Sequence, residues 1–301
     1  HEAIFVMVTA ESSQAVVLSA LEHEPDAYLT KPFNRLGLTQ RLDKLVQRKT
    51  LLKPILQALD RNRPAEVLAA CAELCKKDPR LAPLCLRYRA DALRNLNRFE
   101  ELEKFLKAIL ASRPQPWVYA ALGALMHKRG QNAQAQGVYE QALKAFPIMP
   151  GLYDGMAEVL VAQGDTRRAQ NLLEEAVRLS PLSVRRQSTL GKLALENEDF
   201  ESASKAFRHA VNQGQSSRYK DAENNLGLVQ ALDRRGLLGG ALGQVIGPGE
   251  DFARRRLQPR RGGLETRHHV GEIFGDAVGV GLQSRKSARI VPGHPAHQVG
   301  L

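Results

Sequence analysis

The spacing of apolar residues changes along the chain. Ile4 to Val8 is an unbroken apolar run, the pattern of a buried parallel strand. A short helix is predicted next, with Val16, Val17, Ala20 and Leu21 on its inner side. A second strand is predicted over Ala27–Thr30, ending at Lys31-Pro32-Phe33. An amphipathic helix starts near Leu36 and is expected to run on toward the segments that follow. From about residue 50 the period is helical, and the pattern itself recurs. One unit starts at Pro116 and carries Leu122-Gly123, Gly130, Ala135, Tyr139, Ala142 and Pro147. The next carries Met156-Ala157, Gly164, Ala169, Leu173, Ala176 and Pro181. A third carries Leu190-Gly191, Ala203, Phe207 and Ala210. Ala135, Ala169 and Ala203 are 34 positions apart, as are Ala142, Ala176 and Ala210.

Each residue type has a physical role in a pair of helices, A and B. The small residue after the first Leu or Met lets helix A approach a partner closely. Gly130 and Gly164 fall at the turn between A and B, where positive φ is cheap for glycine. Alanines mark helix crossings, and Tyr139, Leu173 and Phe207 fill the gap to the next unit. Pro147 and Pro181 end helix B, since proline cannot continue a helix interior. Two weaker units precede these. One ends at Pro114, with Phe99, Leu102, Leu106 and Ile109 inside. The other ends at Pro79, with Val67, Cys71 and Leu74. A fifth helix A returns at Asn225-Leu226-Gly227.

This order and spacing resembles the tetratricopeptide repeat family, over about residues 50–235. The resemblance implies a mainly α protein, a superhelix of stacked pairs whose concave face is lined by the A helices. By the family's pattern that face carries Arg87, Asp91, Arg94, Trp117, His127, Lys128, Asp154, Glu158, Arg185 and Lys192, and a protein partner binds there. The Lys/Asn set with which some relatives clamp a peptide's terminal carboxylate is not evident.

The β-α-β-α order of the first 49 residues, with Asp26-Ala27-Tyr28-Leu29-Thr30-Lys31-Pro32-Phe33 close to that family's final strand and loop, resembles the last part of a two-component receiver domain, an α/β (flavodoxin-like) fold. The resemblance gives Thr9 a hydrogen bond to a phosphoryl oxygen and Lys31 an ion pair with a phosphoaspartate. It makes Tyr28 and Pro32 the switch positions, with a cis Lys31–Pro32 bond. The family's acidic pair and phosphoacceptor Asp have no counterpart in this chain. Asp26 and Asp43 lie in the wrong places to replace them. The chain is therefore expected to be a piece lacking its natural start. Mg2+ and a sensor histidine kinase are expected only for an intact receiver.

Charge and composition alter this picture little. The net charge is +11, but both signs alternate along the helices, which points to a solvated surface and not to nucleic-acid binding. Cys71, Cys75 and Cys85 read as reduced thiols without the further ligands of a zinc site. No apolar stretch nears the roughly 20 residues of a membrane helix, and no signal peptide is seen. A cytoplasmic protein is the expectation. From Gly236 the helical period fades, and 14 of the 24 glycines lie there beside arginine clusters. Residues 236–301 thus read as an irregular Gly/Arg-rich tail, disordered or translated out of frame. A basic nucleic-acid-binding tail is the competing reading, and it lacks interleaved aromatics. His268-His269 and His294-x-x-His297 lack partners at metal-ligand spacing.

No P-loop, nucleophile elbow or metal motif suggests an enzyme. Two functions remain: a response-regulator-type protein of bacterial two-component signalling that acts through its repeats, or a constitutive repeat scaffold with no phosphorylation input. Without an acceptor Asp, this chain takes up no phosphate from a small phosphodonor. A stable acyl phosphate detected by intact mass would overturn the alignment of the first fifty residues.

Overall fold

The computed structural model describes residues 2–214 and 221–236. Two short strands, β1 (Val6–Thr9) and β2 (Ala27–Thr30), are joined by α1 (Gln14–Leu21). They pair in parallel, Val6 with Ala27 through Thr9 with Thr30, so both finish at the same edge. Parallel strands need a crossover connection, and α1 supplies it. One expectation is corrected here. The apolar run predicts a buried strand, yet Phe5 and Val8 are 49% and 43% exposed. Among the described residues the sheet has only these two strands, and a parallel strand is buried only when both faces are covered.

A single helix, α2 (Arg35–Asp60), leads from this unit into the repeats. It starts at Asn34, whose side chain accepts a hydrogen bond from the Gly37 N–H at 2.7 Å. It crosses residues 49 and 50 without a break, so the boundary drawn there falls inside one helix. Pro54 lies within it and has no N–H to offer the Thr50 carbonyl. Its second half buries Leu52, Ile55, Leu56 and Ala58 and acts as a helix A.

Helix pairs follow in chain order. They are α3 (Pro64–Lys77), α4 (Ala82–Asn95), α5 (Phe99–Ser112), α6 (Pro116–Lys128), α7 (Asn132–Ala145) and α8 (Pro150–Ala162). Then come α9 (Thr166–Leu179), α10 (Val184–Glu196), α11 (Phe200–Gly214) and α12 (Ala222–Arg234). The even-numbered members are A helices. Prolines open α3, α6 and α8, where the missing N–H has no partner to lose. Each A-to-B turn contains one residue of positive φ: Asn62, Asn97, Gly130, Gly164 and Glu198, with Gly236 after α12. The turn positions expected at Gly130, Gly164 and Glu198 are therefore turns. Glu198 shows that position, more than residue type, dictates the conformation, because a side chain there adopts a left-handed backbone that disfavours it.

What fixes one repeat on the next is a ring held between two glycines. A Cβ built on Gly123 of α6 would lie 2.5 Å from the Tyr139 ring of α7, and one on Gly155 of α8 would collide with the same ring. Phe207 of α11 is gripped likewise by Gly191 of α10 and Gly227 of α12. Both rings are almost wholly buried, which stabilises each interface by about 1.5–3 kcal/mol per side chain. Burial also raises the Tyr139 phenol pKa above its ordinary value. A polar staple adds to this between the fourth and fifth of these turns, at Gly164 and Glu198. Asn197 donates to the Gln170 side chain (2.8 Å) and to the Thr166 carbonyl (3.1 Å), and Gln170 donates to Asp199 (2.8 Å).

Cys71 and Cys85 are buried between α3 and α4, and burial pushes the Cys71 thiol up to about 12. Among the described residues no group of three or more His, Cys, Asp or Glu is placed to hold a metal ion. None of the described helices is long and apolar enough to cross a membrane. The tail assigned to 236–301 lies outside the described residues from 237 onward.

The ring clamp predicts an inversion of helix propensity. In an exposed helix Gly→Ala stabilises by roughly 1 kcal/mol. Gly123→Ala instead destabilises by about 1–3 kcal/mol, because the methyl group overpacks the Tyr139 ring. Urea denaturation of the two chains decides the sign.

Candidate functional site

The groove residues expected from the sequence all lie on A helices. Arg87, Asp91 and Arg94 are on α4, and Trp117, His127 and Lys128 on α6. Asp154 and Glu158 are on α8, and Arg185 and Lys192 on α10. Stacked A helices form the inner wall of such an array. Most of these side chains engage a neighbour. Arg94 pairs with Asp91 (2.8 Å), Arg185 with Glu158 (3.6 Å), and Lys192 with Glu223 of α12 (2.6 Å). His127 Nδ1 and Asn132 Oδ1 share a hydrogen bond of 2.8 Å, and the Trp117 indole donates to Gln115 at 2.7 Å. The Lys128 ammonium sits 4.8 Å from the Phe99 ring centroid, a cation–π contact from one repeat to another. Burial raises the Asp91 carboxyl above its usual range, while Arg94 and Arg87 pull it back.

One A-helix residue with a built set of partners was not evident from family spacing. Arg186 of α10 has a side chain only 3% exposed. Its Nε and Nη2 donate to the two Asp154 oxygens, both at 2.7 Å, a fork that fits a carboxylate in plane. Nη1 donates to the Ser180 carbonyl at 3.1 Å. Nη2 also donates to Glu22, at 2.8 Å, from the N-terminal unit. Burial works against the charge. The carboxylates of Asp154 and Glu22 outweigh it and hold the guanidinium pKa above its ordinary value. A sequence signal did exist. Val118 and Leu152 precede Arg186 at 34-residue intervals, and both are buried. A cation in that apolar column has to find a partner.

Glu22 belongs to the turn that caps α1, so the N-terminal unit reaches the A helices directly. Glu24 pairs with Arg87 of α4. Ser19 of α1 meets Ser180 with hydroxyls 2.9 Å apart, both residues buried. α1 thus packs against the end of α9, where Ser180 also supplies a carbonyl to Arg186.

At the other end of the unit, Thr9 and Lys31 stand at the shared carboxyl edge of β1 and β2. The Thr9 hydroxyl accepts from the Glu11 N–H at 3.0 Å, and the Lys31 N–H donates to the Thr9 carbonyl at 2.8 Å. The Tyr28 hydroxyl donates to the Glu11 carbonyl at 3.1 Å. The Lys31–Pro32 bond is cis.

Residues 126–176 and 160–226 each match the family model described as tetratricopeptide repeat. Tetratricopeptide repeats thus occupy residues 126–226. Solved structures of similar fold include pilF of Pseudomonas aeruginosa, with TM-score 0.51 and 14% identity over 67% of this chain and 93% of that one. They also include PilW, described as a type IV pilus biogenesis factor, with TM-score 0.50 and 15% identity over 69% and 97%. At such identities the likeness speaks of fold alone. No curated protein matches the chain in sequence.

The Arg186 cluster predicts a large single-residue effect. Asp154→Ala leaves a buried guanidinium short of its main counter-ion and destabilises the chain by about 3 kcal/mol. Chemical denaturation measures this. A loss under about 1 kcal/mol would show that Glu22 and the Ser180 carbonyl hold the charge unaided.

Proposed function

We propose that this chain is a tetratricopeptide-repeat scaffold or adaptor that binds a protein partner in the groove of its A helices. One observation carries the reading: side chains of both signs, with Trp117 and His127 among them, lie on the A helices α4, α6, α8 and α10. Mixed charge with aromatic anchors suits recognition of a peptide or helix. The geometry of Asp154, Arg186, Glu158 and Arg185 suits binding through ion pairs.

A receiver-type input is the second reading. It is favoured by the parallel pair β1–β2, which places Thr9 and Lys31 at one edge, where ligands bind in open α/β sheets. In that reading a sensor histidine kinase and Mg2+ act on an acceptor that this chain does not contain, and Tyr28 and Pro32 sit where the response is transmitted. The scaffold reading needs no such addition and is the stronger of the two.

Photo-crosslinking tests the groove. A crosslinking residue placed at Lys128 or Lys192, on A helices, should capture one discrete partner in the cells that make the protein. The same residue at Gln141 or Glu175, exposed on B helices, should capture none. Equal capture from both faces would sink the groove reading.

A further inference from the structure

The N-terminal unit places three side chains against the repeats in a fixed pattern. Ser19, in the last turn of α1, packs on Ser180. Glu22, three residues on, reaches the buried Arg186. Glu24, two further, meets Arg87. The receptor side is built largely without them. Asp154 and the Ser180 carbonyl hold the Arg186 fork in place, and one Nη2 hydrogen-bonding direction then points to Glu22. The two acids follow the carboxyl end of α1, so the helix dipole adds negative potential facing the two arginines. Ser19 and Ser180 are small enough to bring the helix end close.

We propose that the stretch of groove from Arg87 to Arg186 is a receptor for the acidic carboxyl-terminal end of a helix, filled in cis by α1. The partner it fits is a helix ending in a small residue, an acid three positions later and a second acid two after that. This rests on the scaffold reading and adds the chemistry of the partner. α1 is tethered, so it competes at an effective concentration on the order of millimolar. A free partner gains the site only when it outbids α1 or when α1 is withdrawn.

The test uses the full chain and a labelled synthetic peptide of residues 13–26, titrated by fluorescence anisotropy. The unchanged chain should bind the peptide at least about 100-fold more weakly than a chain carrying Glu22→Arg and Glu24→Arg, in which α1 is repelled from the two arginines. Hydrogen exchange should show the α1 amides deprotected in that variant while α7 and α9 stay protected. A peptide with Gln at positions 22 and 24 should bind the variant at least about tenfold more weakly than the acidic one. Should the double reversal fail to fold, Ser19→Lys, which wedges α1 away from Ser180, must give the same three results. The proposal is overturned if α1 stays protected in the variant, if a released groove binds no peptide, or if both peptides bind alike. A variant that ignores the peptide but dimerises overturns it as well, and assigns the groove to a second copy. Failure here with Lys128 and Lys192 still crosslinking a partner leaves the scaffold standing and removes only the acidic-helix chemistry.

Discussion

The array depends on close contact between a ring and a backbone. Tyr139 and Phe207 each lie where two helices of different repeats would otherwise bear side chains, and glycine is what those helices present. The contact has two consequences. It buries an aromatic ring almost completely, and it fixes the distance between successive A helices. Once that distance is set, the inner wall is a surface of defined spacing. Polar side chains on it can then be placed to within a hydrogen bond's tolerance. The interface between the two ring clamps, at Leu173, has Ala157 in place of glycine, and it is reinforced by the hydrogen bonds of Asn197 and Gln170.

Much of this was legible because it follows from period and residue size. The 34-residue recurrence gives the helix pairs, and alanine at 135, 169 and 203 marks residues that are fully buried at crossings. The turn residues were readable where they are glycine. Asn62 and Asn97 carry the same conformation but could not be told from ordinary polar residues. Gly155 was also missed as a clamp residue. The family pattern directs attention to the small residue after the first large apolar one, as at Leu226-Gly227, and Gly155 sits elsewhere on its helix.

The helices that carry Arg87 and Asp154 were legible, but their contacts were not. Spacing puts both residues on A helices and says nothing of what meets them there. Arg186 was passed over for Arg185, its exposed neighbour, because burial of a charge is decided by tertiary contacts that join residues 164 positions apart. The strand expected to be buried erred for a related reason. A run of apolar residues states a preference for cover, and the chain must still supply the covering layer. Ile4–Val8 expresses the preference, and two strands do not meet it.

α2 ties these parts together mechanically. It spans 26 residues, about 39 Å of helix at 1.5 Å per residue. Its first turn leaves the β-unit, and its last turns are packed in the first repeat. The β-unit lies back along this rod, where Asp26 pairs with Lys49 at 3.1 Å and Glu2 accepts from Gln57 at 3.0 Å, so a change of angle at the anchored end carries the unit with it where it meets the repeats. The Ser19–Ser180 contact, closed by two hydroxyls, would act as the latch of such an arm. Pro54, nearly two turns inside the anchored end, marks the place on the rod where a hydrogen bond is already missing.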